Sequence, residues 1–163
     1  MKTESSVHKL KRNLKLQGTA SGAGATEAFI SAFEKRHAVI MPEDLRTYFS
    51  DLNGTAGDYA YGLIRFWGLE EVRSIREEIA AKSECEAVIQ SKYSDAVENS
   101  DSYFVFADFM HEAQLYAIYL SSRDVLNQVI LLDGESPTVV ADSFSDFLER
   151  YIAAPEDLRL NID

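Results

Sequence analysis

The stretch from Met41 to Gly54, Met-Pro-Glu-Asp-Leu-Arg-Thr-Tyr-Phe-Ser-Asp-Leu-Asn-Gly, constrains the fold most, because both ends of one short helix are written into it. Pro42 suits the first helical position, where a missing N–H costs nothing and a fixed φ helps. Glu43 and Asp44 place negative charge at the positive end of the helix dipole. Leu45, Tyr48, Phe49 and Leu52 recur at the spacing of one buried face. Asn53 and Gly54 then supply left-handed residues that stop the helix and turn the chain. Pro42, Asn53 and Gly54 read as a structural motif, and nothing in the stretch reads as catalytic.

On either side the pattern alternates between helix and strand signals. Residues 1–16 interleave basic residues with Val7, Leu10, Leu14 and Leu16, a short strand or helix. Gln17 to Ala25 has no large side chain beyond Gln17 and reads as a flexible linker. Thr26 is an N-cap candidate for a helix that buries Phe29, Ile30 and Phe33 and ends near His37. Tyr61 to Trp67 has strand composition, and Leu69, Val72, Ile75 and Ile79 mark a further amphipathic helix. The helical pattern continues from Ala80 to Tyr93, with Ser83 and Glu86 spaced as a capping box.

A β-rich section follows. Tyr103 to Phe109, Leu115 to Leu120, Gln128 to Leu132 and Val139 to Ala141 read as strands. Their short connections favour an antiparallel meander. Large apolar groups on both faces of the first two mark them as central strands, covered on both sides. Ser143 opens a last helix with Phe144, Phe147, Leu148 and Tyr151 inward, and Pro155 ends it. The expected fold is therefore α+β, with an antiparallel sheet of about four to six strands packed by helices. The expected organisation is a basic extension and linker over 1–25, one domain over 26–155 and a tail over 156–163. The 163 residues, 46% of them hydrophobic, suit one cored domain.

Charge and cysteine usage narrow the function. Residues 1–16 hold Lys2, Lys9, Lys11, Arg12 and Lys15 against Glu4, a net of +4, which leaves −15 on the remainder of a chain whose formal charge is −11. Such an acidic body argues against direct nucleic-acid binding, which needs cations to replace phosphate counterions. It suits a basic protein partner, or simply keeps the protein soluble. Cys85 is the only cysteine and has no internal disulfide partner, which fits a reducing cytoplasm. No apolar run reaches the ~18 residues of a membrane span, and the N-terminal basic residues are not followed by the apolar run of a secretory signal.

Motifs of catalysis are not found. His8, His37 and His111 lie far apart without companions at ligand spacing, so no metal is expected. His37 at a helix end is explained by the C-terminal dipole. The Gly-rich run at 18–24 lacks the Gly-Lys-Ser/Thr ending of a phosphate loop, there is no Gly-x-Ser-x-Gly elbow, and no cofactor is implied. His111-Glu112 sits at a hairpin tip, solvated or, less simply, an acid–base pair. Asp108 shares a strand face with Phe104 and Phe106. It either accepts hydrogen bonds from the following turn or belongs to an acidic partner-facing patch. Trp67 is either core or an interface anchor.

In order along the chain, several pieces resemble the SUKH superfamily, the group related to the yeast cell-wall regulator Smi/Knr. They are Ile30 to Glu34, Met41-Pro42-x-Asp44-Leu45, Asn53-Gly54, Phe66 with Leu69-Glu70-Glu71, Phe104 to Ala107, and Val140 to Phe144 with Phe147-Leu148. Met41, Leu45 and Thr55 depart from the usual pattern by physically mild swaps. The resemblance implies an antiparallel sheet packed by helices and, in bacteria, an immunity protein that neutralises a toxin encoded beside it. It brings no catalytic residues. The expectation is a cytoplasmic, non-enzymatic immunity protein whose partner is a toxin, a basic nuclease being one fitting class. Contacts are sought at Asp101, Asp108, His111, Glu112 and Trp67. A regulatory or scaffold module of the Smi/Knr type is the alternative, and an enzyme with an unrecognised pocket ranks last.

Overall fold

The computed structural model describes residues 3–81, 99–123, 126–133 and 137–158. The expected helix from Ala80 therefore passes out of the described residues after Ala81, and Ser83, Cys85 and Glu86 lie outside them.

Helix α3, Glu43–Asp51, is the one announced by the sequence, with one adjustment at its start. Pro42 has ψ 154° and is the cap, not the first helical residue, its carbonyl accepting from Arg46 N at 3.0 Å. Leu45, Tyr48, Phe49 and Leu52 are all buried. The chain then goes left-handed at Asn53 (φ 53°) and Gly54 (φ 85°). Gly54 also permits a close approach. A Cβ there would sit 2.6 Å from Gly68 N and 2.7 Å from the Trp67 carbonyl carbon, inside van der Waals contact.

Residues 3–25, within the stretch read as an extension and linker, are packed against the rest of the chain. Helix α1, Ser6–Gln17, starts at Ser5, whose hydroxyl accepts from His8 N at 3.3 Å, and closes at Gly18 with φ 71°. Val7, Leu10 and Leu14 are fully buried in the single core, where their transfer from water contributes on the order of 5 kcal/mol. Lys9 and Ser6 both donate to Glu149 Oε1, at 3.0 and 2.9 Å, fastening α1 to the last helix. These bonds hold the Glu149 carboxyl below its ordinary pKa. The small residues that follow are there for contact. Gly22 N donates to Gly54 O at 3.0 Å, Ala25 N to Phe49 O at 2.8 Å, and Asn53 Nδ2 to Ala23 O at 2.8 Å. A Cβ on Gly22 or Gly24 would collide with the carbonyl of Asn53 or Ser50.

Helix α2, Glu27–His37, is capped by Thr26 and buries Ile30 and Phe33, while Phe29 stays 43% exposed. Between α3 and the next helix the sequence reading needs two corrections. The Tyr61–Trp67 segment is a 3-10 turn over Tyr61–Leu63 followed by strand β1, Ile64–Phe66. The Leu69–Ile79 segment is a turn, then strand β2, Arg73–Ser74, then helix α4, Ile75–Ala81. The helix begins there because Ser74 and Glu77 form a reciprocal capping box. Ser74 Oγ accepts from Glu77 N at 3.1 Å and Glu77 Oε2 accepts from Ser74 N at 2.8 Å.

Strands β3 (Tyr103–Phe109), β4 (Gln114–Tyr119), β5 (Val129–Leu132) and β6 (Thr138–Ala141) complete a six-stranded antiparallel sheet of order β1-β3-β4-β5-β6. β2 also pairs with β3, beyond β1 on the same side. A bulge at Phe106 swings that ring onto helix α5, Phe144–Ala153, against Phe144 and Phe147 at 5.5 and 5.1 Å. Ser143 caps α5 through Asp146 N, and Phe144, Phe147, Leu148 and Tyr151 are buried. β3, β4 and β5 are buried almost throughout, whereas β6 is an exposed edge. A 3-10 turn at Pro155–Leu158 follows α5, and Leu158 is itself core, its carbonyl accepting from Tyr116 Oη at 3.1 Å.

Candidate functional site

Asp108 is fully buried in β3, opposite Arg65 in the β1 register. A carboxylate stripped of water needs its lone pairs filled. Four donors do so. Arg65 Nε (2.9 Å) and Trp67 Nε1 (2.7 Å) reach Oδ2, while Tyr59 Oη (3.0 Å) and Glu112 N (3.1 Å) reach Oδ1. The Arg65 guanidinium lies 5.4 Å over the Trp67 ring and also pairs with Glu71 at 3.1 Å. Burial alone would lower the Arg65 pKa, but the charge and hydrogen bond of Asp108 outweigh it and raise it. Burial, and next the bond to Asp108, raise the Tyr59 pKa.

The same carboxylate shapes the β3–β4 tip. Met110, His111 and Glu112 have φ of 45°, 52° and 65°, three consecutive left-handed residues without a glycine. Asp108 holds the last through its amide, and Tyr59 Oη accepts from His111 N at 2.9 Å while its ring meets the imidazole at 4.9 Å. Asp108 thus accepts from the following turn, as one of the two sequence accounts has it, and is no surface group. Trp67, 1% exposed, is core. Of the five anticipated contact residues, only His111 and Glu112 come together at the surface. Asp101 pairs with Arg76 at 3.0 Å at the far end of β3, roughly 20 Å of strand away. Asn53 bridges layers, its Oδ1 accepting from Leu69 N at 2.7 Å.

Beside this cluster runs a groove of about 760 Å³, walled by α2, by the turn from Gly68 to Val72 and by the tip at Glu112. Phe29 and Phe33 of α2 line it with Trp67, Leu69 and Val72, and its charged residues come from α2, β1, the turn, β2, α4 and the tip. His37 lines it too, packed on Phe33 at 4.5 Å and Phe104 at 5.0 Å. Burial lowers the His37 pKa, Glu77 opposing and Arg36 adding, so the imidazole is neutral near pH 7 and the dipole explanation gives way to packing. Sequence reasoning missed the groove because its walls meet only after β2 docks on β3. The pair Glu70-Glu71 was visible, but only as part of a family pattern.

Among the described residues no three His, Cys, Asp or Glu side chains are grouped to hold a metal ion, and no helix is long and apolar enough to cross a membrane. No curated protein matches the chain. The model of the SMI1 / KNR4 family (SUKH-1) matches residues 24–150, from just before α2 to the last turns of α5. With that match over most of its length, carried on an α+β fold with a six-stranded antiparallel sheet, the chain belongs to the SMI1 / KNR4 (SUKH-1) family.

Proposed function

We propose that this chain is a non-enzymatic immunity protein of the cytoplasm, which neutralises a cognate toxin by stoichiometric binding. Family membership supports the class. The observation that carries the reading is the state of the buried carboxylate Asp108. Asp108 is committed to four internal donors, three of them from side chains, so its lone pairs are occupied by the scaffold. What the molecule offers outward is an open groove and an acidic surface, which suit recognition of a basic protein. A net charge of −11 would speed encounter with such a toxin through steering.

The test is co-expression with the product of the adjacent gene. Rescue of growth, together with a one-to-one complex on gel filtration, is the expected outcome. Absence of both rescue and complex would overturn the reading.

A further inference from the structure

We infer that the groove between α2 and the Gly68–Val72 turn is the docking surface for the toxin, and that it takes a cationic side chain, an arginine for preference, from a loop of that partner. The inference rests on the immunity reading and adds to it a place and a chemistry.

Charge complementarity is the argument. Four carboxylates line the groove, at Glu70, Glu71, Glu77 and Glu112, against the guanidiniums of Arg36, Arg65 and Arg73. Two of those guanidiniums are answered from behind by buried acids, Arg65 by Asp108 and Arg73 by Glu78. The site therefore holds six carboxylates to three cations, and the neutral His37 adds no fourth.

Glu70 is where the excess is presented. It is solvent-exposed and makes no ion pair or hydrogen bond among the described residues. Its carboxylate rests against the Gly68 backbone, in space that any larger residue at 68 would fill: a Cβ there would lie 2.6 Å from Glu70 Oε1. Phe29 lines the same groove, a large ring left 43% exposed on a helix whose other phenylalanine is buried. A flat apolar face and a carboxylate without a partner among the described residues, both lining one groove, match a guanidinium, which stacks on a ring and donates to a carboxylate at once. The Trp67 face is already taken by Arg65, which leaves Phe29 as the platform.

The experiment uses the whole chain, titrated calorimetrically with the purified toxin domain encoded by the adjacent gene. Glu70→Lys is expected to weaken binding by about 100-fold, and Glu70→Gln and Phe29→Ala by about 10-fold each. Val139→Ala, on the exposed β6 edge, should bind within about twofold of wild type. All three positions are exposed, so unchanged thermal midpoints should accompany these results. Wild-type binding with unaltered affinity in Glu70→Lys and Phe29→Ala overturns the inference and leaves the immunity reading standing. Should wild type not bind the toxin domain, the immunity reading fails, and a second arm decides the groove by itself. Acetyl-arginine amide is titrated while the fluorescence of Trp67, the only tryptophan, is followed. A saturable change that acetyl-norvaline amide does not produce and Glu70→Lys abolishes supports the site. No change, or an equal change in Glu70→Lys, overturns it.

Discussion

Two of the places where this chain turns left-handed are built in opposite ways. At Asn53-Gly54 the residue types carry the conformation. Asparagine tolerates the left-handed region, glycine has no side chain to clash, and the surrounding backbone closes in on the vacant Cβ position. At Met110-His111-Glu112 the residue types resist it, at roughly 1–2 kcal/mol for each non-glycine. There the conformation is imposed from outside, by Asp108 on the Glu112 amide and Tyr59 on the His111 amide. A turn encoded by its own residue types tolerates change elsewhere, whereas a turn held by side-chain acceptors outside it fails when they are removed.

The contrast predicts a ranked set of stability losses, each read from urea midpoints at constant m-value. The largest belongs to Asp108→Ala. It strands Arg65, the Trp67 indole N–H and the Glu112 amide in a buried site, and should cost about 3–5 kcal/mol. A loss under about 1 kcal/mol would mean that water or a neighbour replaces the carboxylate, and that the tip is not held by it. Next comes Gly54→Ala. The left-handed strain and the collision with the Gly68 and Trp67 backbone together give about 3 kcal/mol. An unchanged midpoint would show the turn shifting freely, against the local-encoding side of the comparison.

This difference also explains what could be read in advance. The caps Thr26 and Ser143, the buried stripe of α3 and the four principal strands follow from periodicity and local chemistry. The sequence carries those signals within a few residues. Composition misled where one pattern has two physical causes. The small residues at 18–25 suit a flexible linker as well as a chain pressed against the end of α3, and only the packed structure separates the two. The Leu69–Ile79 spacing imitated a helix although Ser74-x-x-Glu77 marked its true start. The groove and the Asp108 cluster were the least legible, because their members lie between residues 29 and 112 and meet only through the β1–β3 and β2–β3 pairings.

Two smaller effects sharpen the contrast at the tip itself. Tyr59→Phe removes one hydroxyl that both donates to Asp108 and accepts from His111 N, with the ring retained. About 1–2 kcal/mol should be lost, with faster hydrogen exchange at the His111 amide and little change at Asn53. Equal acceleration at both turns would indicate global unfolding and remove the distinction between them.

The smallest expected change has the opposite sign. Met110 is 46% exposed and sits at φ 45°, so its side chain has little burial to lose and its backbone has strain to shed. Met110→Gly relieves that strain but gives the unfolded chain more freedom, and the two terms leave a gain of about 0.5 kcal/mol. The corresponding substitution at Asn53 should bring no such gain, because its side chain bridges Ala23 and Leu69 and would be lost with it. If Met110→Gly instead destabilises the protein, the methionine is packed rather than merely tolerated. The tip would then share the local logic of Asn53-Gly54, and the comparison drawn between the two turns would fail.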